Sequence, residues 1–107
     1  MINQLEIIKK ASFLLDNRNY VEARDILLNF IKNSKNTKID IKLYYCLYLA
    51  FDGLKEIKNS KKYLEKCLKI NKKNYVVLNN LANIFLKEGN LEKAEEFYLN
   101  SFNLKKD

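Results

Sequence analysis

The sequence predicts an all-α fold of six helices, paired as antiparallel hairpins stacked along one direction, in a single domain over residues 1–107. Three observations carry this. Apolar residues recur at spacings of three and four along most of the chain, which places them on one side of a helix. Punctuation is scarce, with no proline and only Gly53 and Gly89, where many strand-and-turn folds need more. The pattern also repeats: Leu47 and Leu81, Phe51 and Phe85, Ile57 and Leu91, Ser60 and Ala94, Leu64 and Tyr98, and Cys67 and Ser101 all stand 34 positions apart. A closed six-helix bundle is the alternative, but a closed bundle has no reason to keep a constant offset.

The first helix is expected over Asn3–Asn17, with Leu5, Ile7, Ile8, Ala11, Leu14 and Leu15 as its apolar positions. Asp16–Asn19 is the turn, where Asn can replace Gly because it tolerates left-handed backbone. Tyr20 opens the second helix, followed by Ala23, Leu27, Phe30 and Ile31. Lys32–Lys38 is polar and unpatterned, so it is the expected loop and the expected site of mobility and proteolysis. The third helix runs from Ile39 to about Gly53 and is rich in aromatics, with Tyr44, Tyr48 and Phe51. The fourth begins at Ile57 and carries Ser60, Tyr63, Leu64, Cys67, Leu68 and Ile70. After the loop Asn71–Asn74, the fifth starts at Tyr75 and places Leu81, Ala82 and Phe85 on one face. Gly89-Asn90 breaks it, and the sixth, with Ala94, Phe97, Tyr98 and Ser101 on one face, closes near Leu104 before a tail, 105–107, expected to fray. The first hairpin joins the series at an offset of 37, pairing Leu14 with Phe51, Ala23 with Ser60 and Leu27 with Leu64. The three extra residues fall in the loop 32–38, where insertion costs little. The units are about 4–40, 41–74 and 75–107.

Apolar residues make up 48% of the chain, which argues against disorder throughout. No stretch reaches about 18 apolar residues, so no membrane span is expected. The start, MINQLEIIKK, has no basic-then-apolar leader, and no Asn-x-Ser/Thr site occurs, so the expected location is cytoplasmic. Cys46 and Cys67 fall inside helical patterns and are expected to be buried free thiols. Without His or a Cys-x-x-Cys pair, neither a metal site nor a disulfide is expected. The absence of His and of a Gly-rich phosphate cradle points away from an enzyme, and no cofactor is expected. Net charge is +7, from 18 Lys and 2 Arg against 13 acids.

The third unit resembles the tetratricopeptide repeat, a 34-residue helix–turn–helix unit, through Leu78, Leu81, Ala82, Phe85, Gly89, Leu91, Ala94, Tyr98 and Ser101. Only Leu78 and Ser101 depart appreciably from the family tendency. The second unit agrees at Tyr44, Leu47, Phe51, Ile57, Leu64 and Cys67. It departs at Tyr48 and Ser60, where small residues are usual, and at Lys55, where Gly is usual. The first unit agrees at Ile7, Ala11, Leu14, Tyr20, Ala23 and Leu27, and departs at Lys10 and Arg18. The resemblance covers residues 4–104. It implies a right-handed superhelical array of helical hairpins, a solenoid of tetratricopeptide type, serving as a non-catalytic scaffold for protein–protein interaction.

In such arrays the first helix of each unit lines the concave side. By position this implies a groove formed by Leu5, Ile8 and Ser12, then Lys42, Tyr45 and Leu49, then Val76, Asn79, Asn80 and Asn83. A protein or peptide partner is the implied occupant, with the Asn residues able to donate and accept along an extended backbone. Some family members clamp a carboxyl terminus with Lys, Arg and Asn. The matching positions here are Ile8, Ser12, Cys46, Val76 and Asn80, so that clamp is absent.

Two other surfaces stand out. Lys58, Lys62, Lys66 and Lys69 share a helix face within the lysine-rich stretch 55–73, an alternative footprint for nucleic acid or an acidic partner. No arginine fork accompanies them, so base-specific reading is not expected. Phe97, Phe102 and Leu104 have no repeat after them in this sequence, which suggests a homodimer through a terminal helix, here or at the amino end. An assembly or regulatory subunit is the remaining reading.

Overall fold

A computed structural model describes residues 3–106, and all six expected helices form. They are α1 (Gln4–Asp16), α2 (Tyr20–Lys32), α3 (Ile41–Gly53), α4 (Ile57–Ile70), α5 (Tyr75–Lys87) and α6 (Leu91–Lys106), with no strand among the described residues. The chain divides into two compact units between Tyr63 and Leu64, inside α4.

Asparagine does much of the local work at helix starts. The Asn3 side chain accepts from the Glu6 N–H, and the Asn74 side chain accepts from the N–H groups of Val76 and Val77. Asn90 accepts from the Lys93 N–H at the start of α6. Each satisfies donors that a helix start leaves unpaired, worth about 1 kcal/mol per cap. Asp40 does the same for α3 by accepting from the Lys42 N–H, which is why that helix starts at Ile41 and not at Ile39.

The turns differ from the expectation in one respect. The left-handed residue after α1 is Arg18, with φ 60°, while Asn17 and Asn19 keep negative φ. The Arg18 N–H donates to the Leu15 carbonyl and the Asn19 N–H to the Leu14 carbonyl, and this pairing requires left-handed backbone at residue 18. The Asn17 side chain instead donates to the Phe13 carbonyl at 2.8 Å. The same pair of bonds recurs at Lys55 (φ 61°) and Glu56, and at Gly89 (φ 79°) and Asn90. The three left-handed positions therefore keep the 37 and 34 offsets of the sequence pattern, although only one of them is glycine.

In the first unit, α1 packs on α2, and α3 packs on both. Leu14, Ala23 and Ala50, one from each helix, meet at its centre, with Leu15 and Ile26 against them. Small side chains at Ala23 and Ala50 allow the close approach, and a larger residue would overpack it. The Phe51 ring stacks on Tyr63 with centroids 5.6 Å apart and planes 4° apart. The Gln4 amide donates to the Lys38 carbonyl at 3.1 Å and its oxygen accepts from the Asp40 N–H at 2.7 Å. The loop expected to be mobile is thus held at its far end by the first residue of α1.

In the second unit, α5 and α6 pack on each other as a hairpin. Ala82 and Ala94 are buried, and the Phe85 and Phe97 rings meet edge to face at 5.1 Å. The Ser101 hydroxyl donates to the Tyr75 carbonyl at 2.7 Å, so this departure from Ala is hydrogen-bonded. The Lys105 ammonium sits 6.0 Å over the Tyr75 ring, and α6 continues through Lys106 in place of the expected fraying after Leu104. Lysines in the last turn also suit the negative end of the helix dipole. Asp107, the end of that expected tail, lies outside the described residues.

Candidate functional site

The groove positions on α1 are spaced three and four apart, as are those on α3, so each set forms a strip along its helix. In the first unit the two strips run side by side. The Ser12 Oγ lies 3.9 Å from the Cys46 Sγ, which fixes their register. Leu5 is 60% exposed and Leu49 36%, while Ile8 and Tyr45 are half-buried and Ser12 and Lys42 exposed. The result is an apolar strip with Lys9 and Lys42 at its margins, both exposed. The Tyr45 ring of this strip tilts against Tyr48, with centroids 5.2 Å apart.

Tyr48 stands where a small residue is usual, and its side chain is buried. Burial, with the carboxylate of Asp52 nearby, pushes its phenol up to about 12. The folded chain therefore holds this proton after an unfolded tyrosine, near 10, has released it. Tyr48 thus contributes stability that is whole below pH 10 and is lost as pH climbs towards 12. Burial raises the Tyr63 phenol as well, so a phenolate absorbance titration is expected to show late steps among the seven tyrosines, and Tyr48→Phe is expected to diminish them. A late phase undiminished in that variant would place Tyr48 in water.

Burial also pushes the Cys46 thiol up, so it is a packed side chain and not a nucleophile. Cys67 is likewise a buried thiol in no disulfide. Among the described residues no group of three or more His, Cys, Asp or Glu is arranged to hold a metal ion. No helix there is long and apolar enough to cross a membrane.

The α5 positions belong to the second unit. Val76 and Asn79 are exposed and Asn80 is half-buried. Asn83 accepts a hydrogen bond from the Tyr98 hydroxyl, which orients its amide. On α4, Lys58, Lys62 and Lys69 are exposed and Lys66 is half-buried. The Lys62 ammonium lies 5.4 Å over the Tyr63 ring. Among the α6 residues marked for self-association, Phe97 is half-buried against Phe85 and Leu104 is half-buried, while Phe102 is 63% exposed.

One feature was not anticipated from the sequence. A cleft of about 620 Å³ opens between the first turns of α1, the last turns of α2 and the following loop. Ile7, Ile26 and Phe30 supply its apolar walls, and Asn3, Lys10, Asn29, Asn33 and Thr37 its polar ones. Lys10 was the only signal available: a charged residue at a position that is apolar in the other units, Leu47 and Leu81.

Comparison with known proteins agrees with the helical-repeat fold. Residues 46–74 match one tetratricopeptide-repeat family model, and residues 63–96 match a second. No curated protein matches the sequence. Among solved structures, MamA residues 41 to the end from Desulfovibrio magneticus RS-1 superposes with a TM-score of 0.82 at 19% identity, over 95% of this chain and 56% of that one. A MamA RS-1 ArsTM double mutant gives 0.83 at 19% identity with the same coverage. BtubC (BKLC) from P. vanneervenii gives 0.74 at 21% identity, over 95% of this chain and 48% of that one. The chain thus spans about half the length of the solved structures it matches, and it has their fold: an all-α helical repeat of tetratricopeptide type.

Proposed function

We propose that this chain is a non-catalytic interaction module that holds a peptide or helix of a protein partner on the α1/α3 strip. The observation that carries the reading is the exposure of Leu5 and Leu49 beside the half-buried Ile8 and Tyr45. An apolar surface of that kind is stabilised by being covered. Lys42 and Ser12 supply polar contacts at its edge, and we assign Val76, Asn79, Asn80 and Asn83 the same role on α5. We read the chain as three repeats, 4–40, 41–74 and 75–107, in one domain, the third closest to the family pattern, forming a right-handed array in the cytoplasm. Peptides selected from a random displayed library on the immobilised protein test the site. Tyr45→Ala with Leu49→Ala is expected to weaken their binding about tenfold or more with the melting temperature little changed. Undiminished binding would move the site off this strip.

The exposed Lys58, Lys62 and Lys69 support a second reading, in which nucleic acid or an acidic partner binds the face they form with Lys66. Binding to an unrelated duplex that weakens steeply with added salt would favour it over the strip. A regulatory or assembly subunit would use either surface.

A further inference from the structure

We infer that α6 is a dimerisation helix, pairing antiparallel with α6 of a second copy of this chain about a twofold axis. This inference is independent of the α1/α3 strip. The inner face of α6 is occupied by Ala94, Phe97 and Ser101 against α5. A separate stripe runs along its outside through Leu91, Glu95, Leu99, Phe102 and Lys106, all exposed, with Leu91 at 64%, Leu99 at 53% and Phe102 at 63%. The repeat offsets align this stripe with Tyr20, Leu28 and Ile31 of α2. There, the Tyr20 ring lies on Gly53 of α3, and Leu28 and Ile31 are half-buried. On α2 this side meets α3 at Tyr20, whereas on α6 it is open, with its large apolar residues in place.

The occupant follows from the order of residues along the stripe. Glu95, Leu99, Phe102 and Lys106 are spaced four, three and four apart, a spacing that reads the same in both directions. It is also the spacing of a straight seam between two helices. Turning a second copy end for end sets Leu99 against Phe102 of the other copy, twice, and sets Glu95 against Lys106 of the other copy, twice. The acidic first half of the helix meets the basic last turn. A surface that complements itself in this way closes as a dimer, with no further open face of that kind.

Sedimentation equilibrium of the 107-residue chain tests this. The expected mass rises from 12.7 kDa to twice that value with increasing concentration, with a midpoint in the micromolar range. Phe102→Glu is expected to give a monomer with an unchanged helical circular-dichroism spectrum, and Leu99→Lys serves the same purpose should the first variant fold poorly. Glu95→Lys and Lys106→Glu are each expected to weaken the dimer about tenfold at low salt. An equimolar mixture of those two variants is expected to recover it, because one copy then carries two lysines and the other two glutamates. A monomer at every concentration up to about 100 µM would overturn the inference and leave the stripe to a following segment or another protein. So would a dimer indifferent to Phe102→Glu, or a mixture of the two charge variants no tighter than either alone.

Discussion

Gly53→Ala is expected to destabilise the protein by about 1–3 kcal/mol, although alanine favours a helix over glycine by about 1 kcal/mol. A Cβ at residue 53 would lie 2.5 Å from the Cδ1 and Cε1 atoms of Tyr20 and 2.6 Å from its Cγ. Carbon atoms pack at about 3.5–4.0 Å, so the ring would have to lift by about 1 Å. Three ring atoms at nearly one distance mean that the face of the ring is against the helix, and the ring cannot escape by a small rotation. Tyr20 is also the first residue of α2, so moving it disturbs the contact of α2 with α3. Denaturant unfolding measures the loss. In a Tyr20→Ala background the sign is expected to reverse, with Gly53→Ala neutral or stabilising by up to about 1 kcal/mol. A neutral Gly53→Ala in the native background would show that the ring does not rest there.

The triple variant Arg18→Gly, Lys55→Gly, Ser60→Ala is expected to gain about 2–3 kcal/mol and roughly 10 °C in melting temperature. Arg18 and Lys55 hold left-handed backbone, which costs a residue with a Cβ about 1–2 kcal/mol, offset in part by the greater freedom glycine loses on folding. Each replacement should contribute about 0.5–1 kcal/mol. Ser60 is 1% exposed, and its hydroxyl has no hydrogen-bond partner among the described residues. Its counterparts at the repeat offsets are Ala23 and Ala94, both buried. Removing the orphaned hydroxyl should contribute about 1 kcal/mol, and alanine is also the better helix former. All three sites lie in the first unit, and the single variants measured beside the triple show whether their effects add. A loss at Ser60→Ala would mean that its hydroxyl is satisfied in solution, by water for instance. A loss at either glycine would mean that the turn is not left-handed.

These substitutions show which features the sequence made legible. Arg18, Lys55, Ser60 and Lys10 were visible as departures from a pattern, and the first three are places where the structure bears a local cost. Helix ends were legible to within a residue or two because asparagine caps and apolar spacing agree. Ile39 misled because an apolar residue next to a cap looks like part of the helix. The left-handed residue was misassigned to asparagine because composition suggests which residues tolerate that backbone, whereas the hydrogen-bond pattern at the helix end decides where it falls. The cleft beside Lys10 was illegible for a different reason. It depends on the path of a loop set by two hydrogen bonds to Gln4, and no periodicity records such a path. The strip residues Leu5 and Leu49 were found by position in the repeat. Phe97 was legible on the face it shares with Ala94 and Ser101, and its ring meets Phe85 there.

The two cysteines carry a practical consequence. Cys46 lies in the first compact unit and Cys67 in the second, and both are buried thiols outside any disulfide. A thiol reagent can reach either one only when its surroundings open. The rate of modification at each sulfur, read by mass after digestion, is therefore a clock for the opening of the unit that holds it. The natural sequence thus contains one built-in reporter in each half, and the breathing of the two halves can be timed separately without adding a label or changing a residue.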